Sequence, residues 1–136
     1  INDKDGVEKM RLFGEKVGMA FQIKDDLFDY GEADVGKPRG IDIKERKMTL
    51  PLIYALSQSG WLEKRKIISI VKNESEKPKK VKEVITYVKQ SGGIQYAVEK
   101  MNHYHHEALE ILQSFPDSDY RNSLRDLVQF TIDRTN

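Results

Sequence analysis

The stretch Phe21-Gln22-Ile23-Lys24-Asp25-Asp26-Leu27-Phe28-Asp29-Tyr30 closes a run in which Val7, Met10, Phe13, Val17 and Phe21 recur at steps of three and four residues. That spacing is the period of a helix with one apolar face, and it predicts a helix from about Asp5 to about Tyr30. At about 100° per residue with Gln22 at zero, Asp26 falls at about +40°, Asp29 at about −20° and Asp25 at about −60°. The four polar side chains share one narrow sector. Gly18 projects into it one turn earlier and leaves room for something to approach. Phe21 and Phe28 flank the sector on one side, Ile23, Leu27 and Tyr30 on the other, and Lys24 points away from the acids. The expected helix is buried nearly all round, with a single acidic stripe.

Three carboxylates so close repel one another, and desolvation raises that cost steeply. A buried stripe of this kind needs a cation, a basic partner or protonation. Crowded carboxylate oxygens suit a hard divalent ion; magnesium takes one or two of them and fills its other positions with water and phosphate oxygens. The rival reading is an ordinary solvated helix face. The flanking aromatics, the upstream glycine and the loop that follows favour a metal-assisted anion site.

Gly31, Gly36, Pro38 and Gly40 break the periodicity, and a polar loop is expected to run to about Lys47. Lys37 and Lys47 offer ammonium groups that a flexible loop could bring onto phosphate oxygens. The loop lacks the GxxxxGK[ST] of a P-loop, and its acids fall out of register with an EF-hand.

Beyond the loop the pattern stays helical. Thr49 is a candidate cap for a short apolar helix from Leu50 to Ser57, with Pro51 in its first turn. Ser59-Gly60 separates it from a helix striped by Trp61, Ile67, Ile68 and Val71, where Trp61 is expected to anchor packing. Pro78 suits the start of a third, carrying Val81, Val84, Ile85 and Val88, which Gly92-Gly93 stops. Another is expected from Ile94 to about Phe115, ended by Pro116, and Ser118 would cap a last one with Leu124, Leu127, Val128 and Ile132. No strand and no repeat emerges, and the fold class is all-α.

The chain has 136 residues, 38% of them hydrophobic and 33% charged, with a net charge of +1 and no cysteine. One modest domain with a core follows. No strong field points to nucleic acid, and no apolar run reaches the length of a membrane span. Disulfide scaffolds, thiolate nucleophiles and thiolate metal sites are excluded, which fits a reducing, cytoplasmic setting. Because Ile1 is not Met, the chain is read as part of something longer.

Taken together, Phe21-Gln22-x-x-Asp25-Asp26-x-x-Asp29, Gly36-Lys37-Pro38-x-Gly40-x-Asp42 and Lys47-x-Thr49-Leu50-Pro51-Leu52 resemble the trans-isoprenyl diphosphate synthases, especially long-chain polyprenyl members such as octaprenyl diphosphate synthase. Ser91-Gly92-Gly93-Ile94 and Leu124-Arg125-Asp126-Leu127 look like the tail of the same family. The resemblance implies that residues 1–136 are the C-terminal half of a helical isoprenoid-synthase bundle, the half without the first aspartate-rich motif. It implies a homodimeric parent that joins an allylic prenyl diphosphate to isopentenyl diphosphate with magnesium, manganese being a possible substitute. Asp25 and Asp26 would then hold the metal on the allylic diphosphate, with Asp29 in its outer shell. Lys37 and Lys47 would neutralise the departing diphosphate, Gln22 would hydrogen-bond near the reacting centre, and Phe21 could offer a π-face. With one of two motifs, this chain is expected to be inactive alone.

Two other readings stand beside it. A class I terpenoid synthase that does not elongate chains would lack the Gly36-Lys37 to Pro51 pattern. A non-catalytic helical subunit would not need Gln22, Asp25, Asp26 and Lys37 together. His103 and His106 share a helix face that could bind zinc, though surface histidines are the better reading. Lys77 to Lys82 reads as a solvated face rather than a nucleic-acid patch. The Asp117-x-Asp119 pair is explained by capping, and Arg134 could approach a substrate pocket in the parent.

Overall fold

The structure is a computed structural model that describes residues 4–30 and 40–133, excepting the side chains of 131 and 132. Among the described residues there are seven α-helices and no strand: α1 Lys4–Phe28, α2 Ile41–Lys44, α3 Leu50–Ser57, α4 Trp61–Asn73, α5 Pro78–Gln90, α6 Gly93–Gln113 and α7 Asp119–Asp133. None is long and apolar enough to cross a membrane. The chain divides into two compact units, Ile1–Lys24 with Glu99–Thr135, and Asp25–Val98.

In the first unit, Phe13 of α1, Ala108 and Leu112 of α6 and Val128 of α7 form the core, with Met10, Val17, Ile111 and Leu124 packed around them. These are the three- and four-step positions of the sequence pattern. Lys16 meets Glu107 at 3.3 Å on its surface. Ser118 caps α7 as its position suggests: its Oγ accepts the Arg121 N–H at 3.0 Å, while Asp117 pairs with the Arg121 guanidinium at 3.1 Å.

The second unit packs α5 against α3 and α4. Leu52, Val84 and Val88 are fully buried in its core with Ile43, Ile67 and Ile70. Each such side chain contributes roughly 1.5–3 kcal/mol on leaving water. The central helix α3 is tied down on several sides. Its Ala55 carbonyl accepts the Tyr87 hydroxyl at 2.9 Å, and that hydroxyl also meets Ser59 Oγ. The Tyr54 and Tyr96 rings stack with centroids 4.1 Å apart. At the α5–α6 turn Gly92 has φ +80, and a Cβ on Gly93 would stand 2.4 Å from the Pro51 carbonyl oxygen. Two glycines end α5 there because one takes a left-handed backbone and the other admits α3 to close contact.

Several expectations need correction, the first that α1 is buried nearly all round: among its residues only Phe13, Ala20 and Ile23 are buried. Trp61 is 67% exposed and does not anchor the core; Ile67, Ile70 and Val71 do that for α4. The loop before Lys47 contains α2, a single helical turn that buries Ile43 completely. Thr49 occupies the N-cap position of α3, but its hydroxyl makes no capping bond.

Candidate functional site: the end of helix α1 and its clasp

Helix α1 ends at Phe28, and the chain tightens there: the Asp29 and Tyr30 N–H groups donate to the Asp26 and Leu27 carbonyls at 3.2 and 3.1 Å. The helical projection therefore stops short of Asp29. The acids differ in environment, with Asp25 exposed, Asp26 half-buried and Asp29 completely buried. Phe21 is 43% exposed and Gln22, one turn before Asp26, is exposed too, so the stripe is open at its start and closed at its end. Nothing lies within 4 Å of a Cβ built on Gly18, in keeping with the room expected there.

Asp29 is occupied by the backbone of residues 40–42. Its Oδ1 accepts the Asp42 N–H at 2.9 Å, and its own carbonyl accepts the Gly40 N–H at 3.0 Å. A buried carboxylate needs such donors, since an unmatched one costs several kcal/mol in desolvation. Gly40 makes this approach with φ +81, and a Cβ on it would stand 2.6 Å from Val81 Cγ1. The clasp requires glycine for both reasons.

From the clasp, α2 carries Asp42 in its first turn, buried at 3% exposure. The Lys47 N–H donates to the Asp42 carbonyl and the Arg46 N–H to that of Ile43, both at 2.9 Å, with Arg46 at φ +63. This is a Schellman end to α2 with arginine in the left-handed position that glycine usually takes. It turns Lys47 back along the helix. The Lys47 ammonium lies 3.1 Å from Glu45 and 3.6 Å from Asp42. Hydrogen bonding and charge from Glu45, then the charge of Asp42, raise its pKa above the ordinary lysine value.

Tyr30 sits behind the clasp, its hydroxyl hydrogen-bonded to the Thr49 hydroxyl at 2.9 Å in a buried setting. That bond explains why Thr49 does not cap α3. Burial pushes the Tyr30 pKa well above its usual value, Thr49 opposes the shift, and the charges of Asp29, Asp42 and Asp26 add to it. The Tyr30 phenol thus stays neutral.

Lys37 lies outside the described residues, as do Gly36, Pro38 and Arg134. Among the described residues no three His, Cys, Asp or Glu side chains stand together as a metal-holding group. His103 and His106 each meet their own glutamate, Glu107 at 3.4 Å and Glu110 at 2.7 Å, and are surface residues. Neither Asp42 nor Glu45 is assigned a role by the sequence, which offers Tyr30 only as an apolar flank and Thr49 only as a cap. Asp42 was visible as the end of the Gly40-x-Asp42 pattern, whereas the Tyr30–Thr49 pair leaves no local signal.

The chain as a whole matches a known group of proteins. A family model described as polyprenyl synthetase matches residues 1–88. Solanesyl diphosphate synthase 1, chloroplastic, of Arabidopsis thaliana is 32% identical over 134 residues, 97% of this chain and 32% of that protein. Geranylgeranyl pyrophosphate synthase from Bacteroides thetaiotaomicron superposes with a TM-score of 0.86 at 36% identity, over 98% of this chain and 44% of that one. A polyprenyl synthase from Caulobacter crescentus, complexed with calcium and isoprenyl diphosphate, gives 0.80 at 31% identity, over 95% and 40%. The chain spans about a third of the length of the curated relatives it matches. With the acidic end of α1, the Gly40–Asp42 clasp and the helical order all inside or beside the matched region, this chain belongs to the polyprenyl synthetase family.

Proposed function

We propose that this chain is the C-terminal part of a trans-polyprenyl diphosphate synthase. In that reaction an allylic prenyl diphosphate loses its diphosphate, the double bond of isopentenyl diphosphate attacks the resulting carbocation, and proton loss completes a five-carbon extension. Asp25 and Asp26 would bind a magnesium ion that arrives with the allylic diphosphate. Their fit is chemical: adjacent carboxylates, one exposed and one half-buried, offer hard oxygens at a wet surface. Magnesium asks for no more protein donors than that when phosphate and water supply the others. When bound, the ion would counter the negative charge that develops on the leaving diphosphate.

The other residues act around that pair. Asp29, one step removed, holds residues 40–42 against the end of α1, and thereby sets where Lys47 emerges. Lys47, 60% exposed and kept charged by Glu45 and Asp42, would exchange those partners for a phosphate. Lys37 would join it from the segment between the clasped ends. Gln22 and the Phe21 ring, both exposed, would line the approach to the reacting carbon. The long-chain class, an octaprenyl product included, is favoured by the likeness to a solanesyl diphosphate synthase. A homodimeric parent belongs to the same proposal.

The observation that carries this reading is the clasp, in which Asp29 holds residues 40–42 at the acidic end of α1, with the Lys47 ammonium 3.6 Å from Asp42. Calorimetry with magnesium and inorganic diphosphate tests it. Each should bind far more tightly in the presence of the other, and Asp25→Ala should abolish that dependence. Diphosphate binding that ignores both magnesium and Asp25→Ala would overturn it.

A further inference from the structure

Helices α4 and α5 carry a charge that the rest of the chain does not. Residues 61–90 hold nine lysines and arginines against four glutamates, whereas the whole chain holds 23 basic against 22 acidic residues. Everything outside this helical hairpin is therefore net acidic. Some of the excess is matched locally, Lys66 and Lys80 to Glu83 at 3.3 and 3.6 Å and Lys77 to Glu74 at 3.2 Å. Four acids cannot neutralise nine bases, and the hairpin stays strongly positive.

The same hairpin begins with the two most exposed large apolar side chains among the described residues of its unit, Trp61 at 67% and Leu62 at 73%. The Arg65 guanidinium lies 5.3 Å from the Trp61 ring. One turn along from Leu62, Lys66 joins it in lining an open groove of about 850 Å³, whose other wall includes Lys79 and Lys82 of α5. Leu62 and these ammonium groups thus line one groove, which Glu63 and Glu83 also enter, while Ile70, Val84 and Val88 of the same two helices are buried in the core.

We propose that this face docks on the surface of a bilayer containing anionic lipid, with Trp61 and Leu62 entering the headgroup region and Lys79 and Lys82 facing lipid phosphates. Charge complementarity selects that occupant, and the exposed tip separates it from other polyanions. An indole is at its best at the apolar–polar boundary of a membrane, and clustered lysines are drawn to an anionic leaflet. A nucleic acid or an acidic peptide would satisfy the lysines but leave Leu62 in water. Docking of this kind does not depend on the prenyl-transfer reading.

Trp61 is the only tryptophan of the chain, so its emission reports the contact directly. Vesicles of phosphatidylcholine alone and of equal parts phosphatidylcholine and phosphatidylglycerol should be compared by Trp61 emission and by co-sedimentation. The expected result is a blue shift and sedimentation with the anionic vesicles, at least about tenfold stronger than with the neutral ones and reversed by salt. The double substitution Lys79→Glu, Lys82→Glu should abolish sedimentation, and Leu62→Ser should weaken it. If the charge-reversed chain loses helicity, the salt reversal measured on the unaltered chain decides. No response to anionic vesicles, an equal response to neutral ones, or binding to soluble polyglutamate as tight as to vesicles would each overturn the proposal.

Discussion

The carboxylate of Asp29 and the backbone N–H of Asp42, thirteen positions apart, form a buried hydrogen bond of 2.9 Å that holds the start of α2 against the end of α1. The third acid of the motif is in this way a structural member, and the first is a surface group. Their substitutions should separate cleanly.

Asp29→Ala leaves the Asp42 N–H without its acceptor and should cost about 1–3 kcal/mol of stability. Asp25→Ala, on an exposed turn, should stay within about 0.5 kcal/mol while removing the magnesium-dependent binding of diphosphate. Urea unfolding beside calorimetry measures both quantities. Equal losses of stability in the two variants would contradict the division of roles.

Tyr30 and Thr49 give a second test. Tyr30→Phe strands the buried Thr49 hydroxyl, and Thr49→Val strands the phenol, each at about 1–2 kcal/mol, while the double variant should cost less than the sum. The pKa of Tyr30 is raised by burial in the folded state. The stability this contributes is complete below the unfolded tyrosine value of about 10 and is lost as pH climbs above it, because only the unfolded chain ionises readily there. Alkaline titration followed by tyrosine absorbance should show Tyr30 ionising only as the helical signal collapses.

At Gly93 the clash of an added Cβ with the Pro51 carbonyl oxygen at 2.4 Å predicts a loss of about 1–3 kcal/mol for Gly93→Ala. Gly14 lies exposed inside α1 and has nothing within 4 Å of its built Cβ. Gly14→Ala should therefore be stabilising by up to about 1 kcal/mol. Thermal melting of the pair checks the contrast.

Arg46 holds a left-handed backbone at φ +63 that costs an L-residue about 1–2 kcal/mol. Arg46→Gly should relieve it and gain roughly 0.5–1 kcal/mol net, since glycine loses more freedom on folding. A fall in melting temperature instead would mean that the arginine side chain contributes more than its backbone strain costs.

Much of this fold could be read from spacing and punctuation. The bounds Leu50–Ser57, the start at Pro78 and the Ser118 cap agree with the structure because each depends on residues within a turn of one another. What could not be read depends on distant partners. Periodicity cannot detect a four-residue helix such as α2, which exists because Ile43 has a core to enter. Thr49 looks like a cap until Tyr30, nineteen residues earlier, takes its hydroxyl. The angular projection of the acidic stripe assumed that α1 continues through Asp29, and it ends one residue sooner. Trp61 fits the apolar stripe of α4 by type, yet only packing reveals that it lies beyond the core's edge.

The several ties on α3 have a consequence for the order in which the protein assembles. Eight residues are too few to hold a helix in water, and the partners of Pro51, Tyr54 and Ala55 are Gly93, Tyr96 and Tyr87, all more than thirty positions later. This helix must therefore form late, after α5 and the start of α6 are in place, and must open with them as one cooperative block. Its amides should exchange with solvent at the rate of α5 rather than at the faster rate that its length alone would set.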